Sequence, residues 1–459
     1  MPVNTPTLEY IQELVVHQKS FFLQQHTKPI GWRLNKLQQL KKALLQHETA
    51  IYEALYLDLH KSEKEAFLTE FGIVMNELDN HLRNLKKWSR PVKVRTPLSL
   101  FPSKSRIIRE PLGVALIIAP WNYPLNLMMC PLIGAISAGN CAILKPSPHA
   151  LHVAKVMEQI IGTTFDKSHI ALVQGHRDVN TLLLQQHFDM IFYTGSPAVG
   201  RVVMEAAAYH LAPIVLELGG KSPCIVDKGA NLDLAARRIA WGKTLNAGQT
   251  CVAPDHLFVH ESLKKPLVEK IIENFVAFYG EDARNSENYC RIISDKAFAR
   301  LTGYLKDGKL LYGGQTDAEQ RYIQPTLIEV EPEMPIMQDE VFGPILPVMT
   351  YNSLNDVIGY LNRHPKPLAF YYFGNAEKGM GMLAKTTSGG ACINDTVLHI
   401  GNSRLPFGGV GNSGMGHYHG KESYLAFSHS RSVLLSSNRY DVALKYPPYK
   451  KFNLLRKLF

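Results

Sequence analysis

The sequence predicts an α/β fold: two parallel-sheet domains joined by a small β segment. Three observations predict it. Short apolar runs alternate with segments of helical period from Gly113 to Val226, and the alternation continues beyond. The stretch Pro111 to Leu144 holds no charged residue, yet Pro120, Asn122, Pro124, Asn126, Pro131 and Asn140 interrupt it. At about 150 residues per domain, the 459-residue chain has room for about three domains. Strands buried on both faces read as unbroken apolar runs. Strands that alternate with helices imply right-handed βαβ units and a parallel sheet.

The elements follow in order. Leu34, Leu37, Leu40, Leu44 and Leu45 share a helix face, as do Phe71, Val74, Leu78, Leu82 and Leu85 within Phe67 to Trp88. Pro91 to Ser103 is extended and Pro-rich. Gly113 to Ala119 is a buried strand, Leu127 to Ala138 a helix, and Cys141 to Leu144 a second strand. His149 to Ile161 and Asn180 to Gln186 fit helices around a strand at Ile170 to Val173. Met190 to Tyr193 is a strand and Gly200 to Ala208 a helix. Pro213 to Leu218, Cys224 to Val226 and Leu257 to Val259 read as strands, with helices at Leu232 to Lys243, Leu263 to Tyr279 and Val357 to Leu361. The resulting division is 1–90 with 105–215, then 216–393, then 91–104 with 394–459 as a bridging segment and tail.

Composition excludes several classes. An apolar fraction of 46% and a charged fraction of 20% exclude disordered and collagen-like chains. Six cysteines without a CxxC pair exclude a disulfide scaffold and point to a reducing, cytoplasmic compartment. Lipid would need about 20 apolar residues in one helix, which the broken Pro111 to Leu144 stretch does not supply. The net charge is +10. A local basic excess lies in the tail, where Arg431, Arg439, Lys445, Lys450, Lys451, Arg456 and Lys457 face only Asp441. That excess is too short for nucleic-acid binding, but it could touch an acidic membrane surface.

The chemistry-bearing candidates are few. Met190 to Gly200 reads as a strand, a Gly195-Ser196 turn and an opening helix, where backbone N–H groups favour phosphate. Such turns are common. The GxGxxG spacing at Gly409, Gly411 and Gly414 follows no buried strand and reads as a loop. Cys251 lies in Asn246-Ala-Gly-Gln-Thr-Cys, a small-residue loop that lets a substrate approach sulfur. Glu217 ends an apolar strand, where a charge needs an ion-pair partner or a task. Asn122 either caps its loop or works as an amide donor. No histidine cluster has metal-ligand spacing, so no metal is expected. His417 and His419 read as structural.

The order of the motifs carries a resemblance. Ala119-Pro-Trp-Asn-Tyr-Pro124, Lys145-Pro-Ser147, Tyr193-Thr-Gly-Ser196, Leu216-Glu-Leu-Gly-Gly-Lys221, Gly248-Gln-Thr-Cys251, Glu340-Val-Phe-Gly-Pro344 and Pro406-Phe-Gly-Gly409 occur in that sequence. Together they resemble the aldehyde dehydrogenase superfamily, and Cys251-Val-Ala-Pro-Asp255 and Phe427-Ser-His429 resemble its class 3-like branch. The resemblance implies two Rossmann-like domains, cofactor-binding (1–90, 105–215) and catalytic (216–393), with an oligomerisation segment and a homodimer. It implies that Cys251 is the nucleophile, Asn122 an oxyanion donor and Glu217 the general base. It places the dinucleotide on Lys145, Ser147, Gly195, Ser196, Gly200, Leu218, Gly219, Glu340 and Phe342. Pro148 stands where the family often has an acid that would repel a 2′-phosphate, so either NAD or NADP is expected. Asp339 replaces a usual Glu, with little effect expected. Medium or long aliphatic, or aromatic, aldehydes are the implied substrates, with Tyr123, Asn126, Leu245 and the surroundings of His399 as the pocket wall. A relative that passes the acyl group to CoA is the rival, and Glu217 favours water.

Overall fold

A computed structural model describes residues 6–449 and 452–456. The tail residues Lys450, Lys451 and Lys457 lie outside them.

Two large sheets dominate. The first has six strands in the order Gly414–Met415, Ile214–Leu218, Met190–Gly195, Val114–Ile118, Cys141–Lys145, Ile170–Leu172. All pairs are parallel except the two-residue edge, where Gly414 faces Glu217. The period of two is visible in Val114–Ile118. Val114, Leu116 and Ile118 enter one core with Ile11, Leu14 and Val15 of the helix Leu8–Leu23. Ala115 and Ile117 enter the opposite core with Leu37, Leu40, Val74 and Leu78. The two leucine-rich helices expected at the start are thus the cover of one face of this sheet.

The second sheet has seven strands: Lys309–Tyr312, Thr326–Glu329, Ile345–Tyr351, His256–His260, Pro223–Val226, Ala369–Phe373 and Gly390–Ile393. Only the Lys309–Tyr312 edge is antiparallel. A third, antiparallel sheet joins Val92–Val94, Lys104–Pro111 and Ser428–Leu435.

Several details differ from expectation. The strand after the Pro-rich stretch runs Lys104–Pro111, past position 104, because its whole length pairs with Ser428–Leu435. The strand Ile214–Leu218 lies wholly in the first sheet, so a division after residue 215 cuts it. Helix Phe67 to Trp88 is not uniform: Phe67–Phe71 forms a π-turn before Gly72–Trp88. Ile345–Tyr351 and Ala369–Phe373 are strands that the sequence pattern did not yield. Pro347 sits inside the first of these and hides it.

All six cysteines are free thiols. Among the described residues, no helix is long and apolar enough to cross a membrane, and no cluster could hold a metal ion. Arg431 pairs with Glu110 at 2.9 Å and Lys445 with Asp441 at 2.5 Å, so part of the tail's charge is matched locally.

Candidate active site

The loop that carries Cys251 is built against its own preferences. Helix Leu232–Thr244 ends, and Asn246 (φ 51°, ψ 36°) and Ala247 (φ 49°, ψ 37°) then turn left-handed. Asparagine tolerates this region; alanine resists it by about 1–2 kcal/mol. Gly248 follows at φ +74°, and any Cβ there would collide with the Gly343 carbonyl of the neighbouring loop. Glycine is therefore required for the two loops to touch. Gln249 braces the turn with its whole amide. Its Nε2 donates to the Asn246 and Arg291 carbonyls at 3.0 Å each, and its Oε1 accepts from the Ile293 N–H at 3.0 Å. Beyond Cys251, the Tyr371 hydroxyl donates to the Val252 carbonyl. Cys251 itself is half-buried.

Asn122 is buried, and its Nδ2 donates to the Gln249 carbonyl at 3.0 Å. In return, Asn246 Nδ2 donates to the Asn122 carbonyl at 2.8 Å. Asn122 therefore does more than cap its own loop, because it is stitched to the loop of Cys251. One of its two amide hydrogens remains for another acceptor.

Glu217 is 3% exposed, and neither carboxylate oxygen has a hydrogen-bond partner among the described residues. The ion-pair alternative for this residue is thereby excluded. Burial pushes its carboxyl well above the usual carboxylate range. Cys251 is subject to the same force. Burial first, then the negative charges of Glu340 and Glu217, push its thiol up, while its own N–H and that of Val252 oppose the shift. Cys251, Glu217 and Glu340 thus share one electrostatic environment. Burial and Asp255 push the Glu340 carboxyl up to about 8, against the Gly220 N–H and the charges of Lys221 and Lys243.

Asp255 escaped sequence reasoning, although it closes the very Cys251–Asp255 motif. It accepts from Lys221 Nζ at 2.6 Å and from the Val341 N–H at 2.8 Å, and so fixes the loop of Glu340. Burial opposes its ionisation. Lys221, the His256 hydrogen bond and Lys243 outweigh that and hold the carboxyl well below its usual range. Phe342 (φ 50°) sets its ring edge-on to Trp121, with centroids 5.5 Å apart.

The phosphate candidates gather at the C-terminal ends of the first sheet. Ser196 caps helix Pro197–His210 by accepting the Val199 N–H at 3.5 Å. Gly200 lets that helix lie against Leu218, whose Cδ2 is 2.8 Å from where a Cβ would stand. Gly195 lies beneath the Tyr193 hydroxyl, and a Cβ at Gly219 would overlap the Glu340 carboxylate. Lys145 ends its strand buried, its Nζ donating to the Pro146 carbonyl at 2.8 Å. Burial brings its ammonium down to about 8. Ser147 Oγ accepts from the His149 N–H at 3.3 Å, and Pro148 is half-buried beside it. Lys145 and Ser147 stand three strands from Glu217, roughly 14 Å at about 4.8 Å per step. The structure thus separates two groups, one around Cys251 and one around Lys145, with Ser196 between.

This spread suits a dinucleotide. A cleft of about 350 Å³ runs past Pro197, Gly220 and Glu340. A helix N-terminus opens on it, which favours a pyrophosphate. Such crevices at the carboxyl ends of parallel strands are where dinucleotides bind.

The pocket-wall expectations fare unequally. The Tyr123 hydroxyl and Thr250 Oγ1 bond at 2.5 Å, beside Cys251. Asn126 turns its amide inward, donating to the Thr69 carbonyl at 3.4 Å and accepting from Cys130 Sγ at 3.1 Å. Leu245 is half-buried at the start of the turn. His399 stands 6.2 Å from the Tyr371 ring. The GxGxxG segment is a loop at Gly411, but Gly414–Met415 adds an edge strand against Glu217.

The chain is similar throughout to proteins of one family. Residues 6–433 match the model of the aldehyde dehydrogenase family. It is 45% identical over 457 residues to the 4,4'-diaponeurosporen-aldehyde dehydrogenase of Staphylococcus aureus, covering 98% of this chain and 100% of that one. It is 44% identical to the dimeric NADP-preferring aldehyde dehydrogenase of Mus musculus, covering 95% and 98%. The substrate-bound structure of Staphylococcus aureus AldH superposes with a TM-score of 0.96 at 44% identity, over 98% and 99% of the two chains. With the motifs in order, the site assembled and the match spanning nearly its full length, the chain belongs to the aldehyde dehydrogenase family.

Proposed function

We propose that the chain oxidises extended apolar aldehydes to carboxylic acids through a thioester on Cys251, with water as acyl acceptor and NAD or NADP as oxidant. The observation that carries this is the Asn122 amide bonded to the loop of Cys251, together with a buried Glu217 carboxylate that has no partner among the described residues.

The Cys251 sulfur, once deprotonated, adds to the aldehyde carbon. A C–S bond forms and the carbonyl π electrons move to oxygen. The free Asn122 hydrogen and the Cys251 N–H hold that oxyanion, and a preorganised donor of this kind is worth about 2.7–4 kcal/mol. When bound, the dinucleotide supplies the acceptor for the hydride that leaves the carbon. Lys145 and Ser147 would hold its adenosine end, and Gly195, Ser196, Gly200, Leu218 and Gly219 would form the surface for its pyrophosphate. Glu340, with Phe342 beside it, would hold a ribose. Water then attacks the thioester, its proton passes to Glu217, and the C–S bond breaks to free the acid and the Cys251 thiolate. An unpartnered carboxyl suits this task, since burial raises its affinity for the proton it takes from water. The first sheet serves the cofactor and the second carries the catalytic loop. As in the mouse relative, the assembled enzyme is a dimer.

Two features support the apolar substrate class: Tyr123 and Leu245 border the reacting loop, and Asn126 spends its amide internally. Initial rates with a chain-length series of aldehydes test it, with the product identified with and without CoA. Rates that rise with chain length and yield free acid in both cases are expected. An acyl-CoA product would move the assignment to the CoA-dependent rival.

A further inference from the structure

Behind the Asn122 and Cys251 loops lies a group of buried and half-buried charges that the reaction does not use directly. Lys61 Nζ and Glu70 Oε1 form an ion pair of 2.6 Å with neither side chain exposed. Glu70 Oε2 accepts from the backbone N–H of Leu125 at 2.9 Å and of Asn126 at 3.4 Å. Lys61 Nζ also lies 3.5 Å from the Asn122 carbonyl and 4.2 Å above the Tyr123 ring. The pair therefore fixes the segment that carries Asn122.

Glu65 completes the group on the other loop. Its Oε1 accepts from the Asn246 backbone N–H at 2.7 Å and from Cys290 Sγ at 3.6 Å. Asn246 is the first residue of the left-handed turn before Cys251. Its N–H would otherwise bond four residues back and continue the helix. An acceptor outside the helix draws that N–H away and makes the strained turn the better choice. The same residue's Nδ2 reaches the Asn122 carbonyl. Glu65 thus holds Asn246, whose side chain in turn reaches the Asn122 loop.

We propose that Glu65 is a positioning residue for the reaction: by accepting the Asn246 N–H, it holds the turn that presents the Cys251 sulfur and its oxyanion-binding N–H. This rests on Cys251 being the nucleophile. Burial raises the Glu65 carboxyl above its usual range, and Lys61 and the Asn246 N–H oppose the shift.

Three variants test it beside Cys251→Ala. Glu65→Ala removes the acceptor, Glu65→Asp withdraws it by one methylene while keeping the charge, and Glu65→Gln keeps an acceptor in place. Folded sites are counted by dinucleotide binding. Misplacement by about 1 Å can cost about a hundredfold. We expect kcat to fall about ten- to hundredfold in Glu65→Ala and at least about fivefold in Glu65→Asp. Dinucleotide affinity and both KM values stay within about twofold, and Glu65→Gln recovers to within about threefold of the parent enzyme. Should Glu65→Ala not fold, Glu65→Asp and Glu65→Gln decide in the same way. Parent-level kcat in Glu65→Asp, or a Glu65→Gln variant as defective as Glu65→Asp, overturns the proposal. Activity retained by Cys251→Ala would instead overturn the reading on which it rests.

Discussion

Glu217 shows most plainly how one residue trades stability for chemistry. A buried carboxyl with no partner costs about 1–3 kcal/mol, and this one has none among the described residues. Its folded pKa is raised, so the folded state binds the proton more tightly than the unfolded chain. Its contribution to stability therefore falls as pH rises above the usual carboxylate value. Glu217→Leu should gain about 1–3 kcal/mol in denaturant unfolding, with a gain that grows from pH 4 to pH 8, and should lose hydrolysis. Glu217→Gln should lower kcat by about a hundredfold or more and leave the acyl-enzyme as the accumulating species in mass spectra. The parent's kcat should fall as the carboxyl protonates on acidification, and this limb should vanish in Glu217→Gln. Pro148 makes a second residue-scale case. Pro148→Glu places a carboxylate by Ser147 and should lower kcat/KM for NADP about tenfold or more, while NAD stays within a few-fold. An unchanged preference would show that the ribose lies elsewhere.

At the scale of elements, the decisive unit is the turn Leu245–Gly248 with the loop of Glu340 that it touches. Two non-glycine residues in the left-handed region are stable only because Gln249, Asn122 and Glu65 hold them. Gly248→Ala adds a Cβ where the Gly343 carbonyl stands. The two loops must part, and activity should fall by at least about a hundredfold while the dinucleotide still binds. Near-normal kcat in this variant would mean that the contact is not needed. Much of this scale was legible in the sequence. Alternation places the five parallel strands of the first sheet to within a few residues, because strands buried on both faces read as unbroken apolar runs. The second sheet was harder to read. Pro347 interrupts the pattern of Ile345–Tyr351, and Ala369–Phe373 lies late in a region without clear alternation. The π-turn at Phe67–Phe71 leaves no mark in hydropathy, since it changes backbone hydrogen bonding and not the buried face.

Across the whole molecule, the C-terminal ends of the first sheet face the loop carried by the second, and the reactive groups come from both. That is why order along the chain betrayed the site while no single motif did. Motif order names Cys251, Glu217 and Asn122, and the Asn122 amide bonds to the loop of Cys251. Lys61, Glu65, Glu70 and Asp255 are not legible there, since an acid that accepts a backbone N–H, or the lysine paired with one, looks in sequence like any surface charge. The basic tail was legible as charge, but the partners Glu110 and Asp441 that absorb part of it were visible only in the fold.

Whether the aldehyde is oxidised while bound to Cys251 decides the proposed function. The most direct measurement mixes the enzyme with oxidised dinucleotide and a long-chain aldehyde, quenches within one turnover, and maps the adduct by peptide mass spectrometry. The same mixture follows reduced dinucleotide for the parent and for Cys251→Ala. The account predicts an acyl mass on the Cys251 peptide, one reduced dinucleotide per acyl group, and neither in the variant. Reduced dinucleotide formed at the parent rate by Cys251→Ala, or an acyl group on another residue, would contradict it.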